Sequence, residues 1–476
     1  MDSIVDLERI DQALGDRLER VVVSHHRRRL RRVGRLDVLD APAGGWAAGP
    51  PPPRAGNRID LQVDGSSAFP TLVEAIRGAR SYVHLAGWHF TPELELEGTT
   101  LRELLAETAE RVDVRVLQWA GAPLPLFHPD RGEVREGRDR LSRGTRIRHE
   151  LDARERPMHC HHEKLAIVDG EVAFVGGIDL SLLGGDRRDD SAHPPKGELG
   201  WHDAASRLEG PAVADVAAHF AMRWAEVTGD ELPGADPGER GDVELQVVRT
   251  VPNNVYDRLP HGDFTILESY LRAVRSAERL IYLESQFLWS PELVSVLAEK
   301  LRNPPHDDFR LVVLLPARAK NGQEDTRGQL GVLIDADAGA GRFLACTLWQ
   351  PGPGGQPVYV HAKIGIVDDR WLTIGSANLN EHSFFNDSEM NVVTHDPRLA
   401  RETRLRLWAE HLECDPAELE GDPAQVVDER WRPLAEEQHE RAKRDGHGTQ
   451  KLRLLPNISR RTKGALGPLN GFLVDG

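Results

Sequence analysis

An internal duplication limits the fold more than any other feature of this chain. Residues 73–90, VEAIRGARSYVHLAGWHF, match residues 271–288, LRAVRSAERLIYLESQFL, at an offset of 198 residues. Residues 161–179, HHEKLAIVDGEVAFVGGID, match residues 360–378, VHAKIGIVDDRWLTIGSAN, at an offset of 199. Two independent segments at nearly one offset make this a whole-domain repeat rather than a chance match. At 476 residues the chain has room for such a duplicated unit with a core in each half.

Each repeat has the same local pattern. Phe69, Leu72, Val73 and Ile76 stand at helical spacing, as do Leu267, Tyr270, Leu271 and Val274. A strand is predicted next, over 82–85 or 280–283, then a helix over about 99–111 or 291–302. An apolar strand follows, over 112–119 or 309–315. Helices alternating with buried strands argue for α/β layers. The boundaries expected are 1–56 for an N-terminal helical segment with a Pro/Gly linker, 57–235 and 236–420 for the repeats, and 421–476 for a peripheral tail.

The second matched segment carries the chemistry. In both copies a histidine is followed by any residue, a lysine, four residues and an aspartate. These are His162, Lys164 and Asp169, then His361, Lys363 and Asp368. Seven residues past the aspartate stand Gly176-Gly177 or Gly375-Ser376. Read as a strand over 358–367, the second copy places His361 and Lys363 on one face and Val360, Ala362, Ile364 and Ile366 on the other. An ammonium beside an imidazole suits a phosphate, because it can stabilise charge building on phosphorus. One imidazole can attack phosphorus, while another protonates the departing alcohol and then activates water. Each copy supplies one histidine, so two copies supply both halves of a phosphoryl-transfer site.

This duplicated pattern resembles the phospholipase D superfamily over about residues 57–415. The words IYLESQF at 281–287 and WHDAASRLEGPAV at 201–213 are similar to that family's flanking segments. The resemblance implies two fused α/β/α repeats packed as a pseudo-symmetric pair around one active site. It implies a phosphohistidine intermediate, no cofactor and no metal requirement. His162 then corresponds to the nucleophile and His361 to the acid/base. Lys164, Lys363 and Asn378 correspond to phosphate ligands, with Ser376 beside them and Gly177 as its counterpart. Glu389 corresponds to the carboxylate that orients the histidine, and Asp203 is the candidate for that role in the first half. Asp169 and Asp368 correspond to structural members of the motif. The halves differ: Asp179 stands where the second has Asn378, and a carboxylate there would repel a bound phosphate unless protonated or turned away.

The activity implied is hydrolysis of a phospholipid, or another phosphodiester, to phosphatidic acid and a free head-group alcohol, with transfer to an alcohol through the same intermediate. Cardiolipin synthase-like phosphatidyl transfer is the nearest alternative, followed by a nuclease of the superfamily and a silent scaffold for anionic ligands. A net charge of −16 counts against a broad nucleic-acid surface. The arginine run in HHRRRLRRVGR, residues 25–35, reads either as a solvated helix face or as a contact with anionic lipid or nucleic acid, which leaves peripheral membrane contact open. No apolar run reaches the ~18–20 residues of a membrane span, and the acidic N-terminus is unlike a signal peptide. Three distant cysteines, Cys160, Cys346 and Cys414, do not form a disulfide framework. Together these place the expected location in the cytoplasm.

The HCHH run at 159–162 puts adjacent side chains on opposite strand faces, which argues against a metal cluster there. Residues 184–199 read as a lid or a solvated insertion, and 120–145 are as ambiguous. Gln286 is either a site residue or a strand end. Residues 123–127 are either core or a lipid-facing loop.

Overall fold

The computed structural model describes residues 17, 19–124, 128–156, 159–182, 195–196, 199–319, 323–456 and 458. The apolar positions expected to start the first helix, most of the 184–199 loop and residues 125–127 lie outside these.

The duplication appears as two seven-stranded arrays with one strand order. In the first half the order is Arg148–Asp152, Asp113–Trp119, Tyr82–Gly87, Leu165–Val168, Val172–Gly176, Ala204–Glu209 and Arg54–Val63. In the second it is Phe343–Trp349, Arg310–Leu314, Leu280–Glu284, Ile364–Val367, Trp371–Gly375, Glu389–Thr394 and Val243–Val251. The first three strands of each are parallel and the rest antiparallel. Arg54–Val63 then pairs antiparallel with Val243–Val251, joining the arrays into one sheet. The chain is therefore α/β with pseudo-twofold internal symmetry.

Strand side chains alternate between two cores, which is why these strands read as continuous apolar runs. Ile281, Leu283, Leu311 and Val313 pack outward beneath the helices Thr265–Ser276 and Pro291–Arg302. Leu280, Tyr282, Val312 and Leu314 face inward. In the first half, Val83, Leu85, Val114 and Val116 pack under the helices Asp64–Arg77 and Leu101–Ala109. The inner core is shared by the two halves. It holds Phe220 and Trp224 from the helix Val213–Thr228 and Leu407 and Trp408 from the helix Pro397–Leu412.

Three expectations change. The strand expected over 358–367 is split into Pro357–Val360 and Ile364–Val367. The first piece pairs with Leu199–His202 of the first half, the second with Leu280–Glu284. The chain changes partners at His361, Ala362 and Lys363. The Pro/Gly segment is no free spacer: Gln246 holds Ala47 from both sides, by Ala47 N–H to Oε1 at 2.9 Å and Nε2–H to Ala47 O at 3.0 Å. The segment after 420, expected outside the core, buries Val427 and Trp431, and Leu452–Leu454 extends the sheet beside Phe343–Trp349.

Candidate active site

Both histidine segments are delivered by backbone bonds from the opposite half. The amides of His162 and Glu163 donate to Ser388 O at 2.9 and 3.0 Å. Those of His361 and Ala362 donate to His202 O at 2.7 and 3.2 Å. In each case the next residue in the opposite half is a carboxylate. Glu389 Oε1 lies 2.9 Å from His162 Nδ1, and Asp203 Oδ2 lies 2.6 Å from His361 Nδ1. Sequence order would match each carboxylate to the histidine of its own half, but the structure exchanges them. All four groups are buried: each histidine is 5% exposed, each carboxylate 0%. A carboxylate on Nδ1 sets the tautomer and leaves Nε2 for chemistry.

The lysines sit with the histidines. Lys164 Nζ donates to His162 O at 2.7 Å and lies 3.4 Å from Asp179 Oδ2. Lys363 Nζ donates to His361 O. The aspartate that breaks the repeat is thus the partner of Lys164. Gly177 joins the halves at close quarters: a β-carbon there would stand 2.2 Å from Asp203 Oδ1 and 3.3 Å from Lys363 Cδ. The absent hydroxyl, relative to Ser376, follows from that contact.

Burial dominates the titration of the site. It pushes the Asp203 carboxyl up to about 6, with Lys363 opposing the rise. It pushes the Glu389 carboxyl up to about 8, against Lys164 and the hydroxyls of Ser376 and Ser383. It lowers Lys363 to about 8, against the attraction of Asp203. Asp203 and Lys363 therefore change charge on either side of neutrality.

Around the carboxylate that holds His162, Ser376 Oγ donates to Glu389 Oε2, and Ser383 Oγ donates to Glu389 Oε1 at 2.6 Å. Ser383 also accepts the Asn378 amide at 3.0 Å. Asn378 Nδ2 reaches Gln286 Oε1 at 3.4 Å, and Gln286 Nε2 donates to the Tyr359 hydroxyl at 2.8 Å. Gln286 is thereby part of this wall. Trp201 stacks on Tyr359, with ring centres 4.7 Å apart, and lies 5.2 Å from the His361 ring. Ser383 had no signal in the sequence, while Trp201 and Tyr359 stand beside the singled-out words without being read as site residues.

Asp169 and Asp368 lie elsewhere. Asp169 accepts the amides of Arg80, Ser81 and Tyr82 at 2.7–3.1 Å, and Asp368 those of Glu278, Arg279 and Leu280 at 2.8 Å. Each ties the turn after its histidine strand to the start of the neighbouring strand. The HCHH run spreads as the alternation argument requires. Cys160 packs with Trp88 and Trp119, His161 Nδ1 meets Ser388 Oγ at 2.9 Å, and His159 turns to His382.

The family described as "Cardiolipin synthase, PLD-like domain" matches residues 270–409. Curated relatives cover about three quarters of the chain. Cardiolipin synthase A of Pseudomonas aeruginosa is 29% identical over 374 residues, covering 77% of this chain and 70% of that protein. Major cardiolipin synthase ClsA of Bacillus subtilis is 26% identical over 361 residues, covering 72% and 67%. Phospholipase D A of Dictyostelium discoideum is 25% identical over 459 residues, covering 74% of this chain but only 35% of that protein. The chain is thus similar to cardiolipin synthases and a phospholipase D, and its residues 270–409 match a phospholipase D-like domain. The fold is matched as well. The crystal structure of phosphatidylserine synthase from Haemophilus influenzae aligns with a TM-score of 0.53 at 14% identity, over 85% of this chain and 97% of that one. Among the described residues, no helix is long and apolar enough to cross a membrane.

Proposed function

We propose that this chain cleaves phospholipid phosphodiesters by two in-line displacements. The observation that carries the reading is the crosswise pairing of His162 with Glu389 and His361 with Asp203, each beside a lysine. His162 Nε2 attacks phosphorus, in the role the superfamily resemblance assigns it. The bond to the head-group oxygen breaks as His361 delivers its proton there. Lys164, Lys363 and Asn378 hold the non-bridging oxygens as charge develops on them. In the second displacement His361 takes a proton from water, oxygen attacks phosphorus, and the phosphorus–nitrogen bond breaks to release phosphatidic acid. An alcohol entering instead of water yields a new phosphodiester.

Names among the relatives favour that second outcome as much as the first, because two of the three carry cardiolipin synthase in their names. Phosphatidyl transfer to a polyol such as phosphatidylglycerol is therefore the second reading. An apolar pocket lined by Phe69, Leu72, Phe90, Phe174, Ile178 and Leu180 reaches Lys164 and Asp179. That suits a substrate with hydrocarbon next to its phosphate.

The N-terminal helix supports contact with an anionic membrane. Arg29 is internal, donating to Asn253, Asn386 and Phe385 O at 2.6–2.7 Å. Arg17, Arg20, Arg28, Arg31 and Arg32 are all exposed, at a spacing that puts them on one face with Val21, Ser24 and His25. That face carries no acid, in a chain of net charge −16. A cationic stripe with an exposed valine fits an anionic lipid surface.

The test is turnover of the His162→Ala and His361→Ala proteins on phosphatidylcholine and phosphatidylglycerol, with products separated as phosphatidic acid, cardiolipin and free head group. Each variant is expected to lose at least roughly 10²–10⁴-fold of the rate, and an acid quench should trap phosphate on one histidine of the wild type. Plasmid nicking in place of lipid cleavage would replace this reading with the nuclease one.

A further inference from the structure

His159, His382 and Asp387 form a cluster that the phosphoryl-transfer steps do not use. The two Nδ1 atoms lie 3.1 Å apart. His159 Nδ1 is 3.5 Å from Asp387 Oδ1, and His382 Nδ1 is 3.9 Å from Asp387 Oδ2. The residues are 6%, 1% and 0% exposed. Oδ1 is also occupied by the Cys160 amide at 2.9 Å. Oδ2 is buried and accepts no hydrogen bond among the described residues. A buried carboxylate oxygen without a donor is costly, and a hydrogen bond between the two imidazoles does nothing for it.

We propose that these three residues hold a divalent transition-metal ion of the zinc class. Zinc takes nitrogen and oxygen ligands at about 2.0–2.2 Å, which sets tetrahedral ligand–ligand edges of roughly 3.3–3.5 Å. The two nitrogens stand 3.1 Å apart and each faces a different Asp387 oxygen, at 3.5 and 3.9 Å, so the carboxylate must turn to bring its undonated Oδ2 to an ion that both imidazoles share. Two imidazoles with one carboxylate select zinc, cobalt or nickel over magnesium or calcium. Another buried group, His202, Glu284 and His411, is already closed by hydrogen bonds of 2.9 and 3.1 Å to the two Glu284 oxygens. The proposal does not depend on the substrate. Its consequence is mechanical: the ion would clasp the segment entering His162 to the segment entering Glu389, on opposite halves of the molecule.

The experiment uses tag-free full-length protein, stripped with chelator and titrated with Zn²⁺ or Co²⁺. One equivalent should bind with micromolar or tighter affinity and survive gel filtration. Co²⁺ should give a low-coordinate visible spectrum, and zinc should raise the Tm by a few degrees. His382→Ala and Asp387→Asn should each lose the equivalent and the Tm response, with circular dichroism reporting that they fold. Should these variants not fold, the wild-type Co²⁺ titration carries the test, because a low-coordinate spectrum saturating at one equivalent requires a built site, and its loss in His159→Ala locates that site here. No stoichiometric binding by the wild type, or binding unchanged in folded His159→Ala and His382→Ala proteins, would overturn the proposal.

Discussion

Gly177 has no space for a β-carbon, because Asp203 and Lys363 from the two sides of the site close over it. Gly177→Ala is expected to displace the Asp203 carboxylate from His361 and lower kcat by about 10²-fold while the protein stays folded; a kcat within twofold of wild type would mean the site yields easily there. Rate against pH reads three groups of the same site, and Glu389, raised to about 8 by burial, gains its charge over the range in which Lys363 loses its own. Asp203, raised to about 6 by burial, loses its negative charge as pH falls through that value and with it the hold on His361. Lys363, lowered to about 8 by burial, loses its positive charge as pH rises through that value. The profile of kcat/KM should be bell-shaped with limbs near 6 and 8, each a property of a coupled group rather than of one residue. Asp203→Asn should remove the acid limb along with most of the rate, and Lys363→Arg should move the alkaline limb upward. The histidines, lysines and both carboxylates are legible in the sequence, since they sit in repeated or family-like words. Their crossing is not, because spacing along a chain says nothing about which half a side chain reaches into.

Among the elements, the helix at 19–32 separates two roles that one arginine run conceals. Arg29 and His26 fasten it, the latter stacked on Phe385 at 4.0 Å and bonded to Glu292 at 2.8 Å. Its outer arginines are left to solvent. Replacing Arg28, Arg31 and Arg32 with serine should abolish flotation with phosphatidylglycerol vesicles, while turnover of a soluble short-chain phosphodiester is kept. Wild-type flotation should itself weaken with salt, as each surface arginine contributes about 1 kcal/mol at low ionic strength. Flotation unaffected by the triple change would assign the stripe to solvation. The sequence shows the charges but not which of them face inward, since that depends on Asn253 and Asn386, more than two hundred residues away. The paired central strands were legible from their apolar runs. The strands Arg54–Val63 and Glu389–Thr394 were missed, because polar residues such as Gln62, Asn391 and Thr394 interrupt the pattern, Gln62 buried against Ser67 of the next helix and the other two through hydrogen bonds to Thr373 and Glu244 O.

At the scale of the molecule a buried charge network braces the first half, and the Tyr256 hydroxyl ties the second half to it. Arg223 donates to Asp152 at 2.7 Å, to Tyr256 at 2.8 Å and to Glu163, with Tyr256 reaching Asp152 at 2.5 Å and His219 reaching Glu163 at 2.8 Å. Arg223→Leu leaves two buried carboxylates without their cation and should cost roughly 3–5 kcal/mol of stability; denaturant unfolding showing less than 1 kcal/mol would mean that water or a proton replaces it. The exchange of carboxylates between the halves has a further consequence. The site works as a conjunction. A small slip of one half against the other withdraws Glu389 from His162 and Asp203 from His361 in the same movement, so no partly equipped intermediate exists. Neither half can decay alone without silencing its twin.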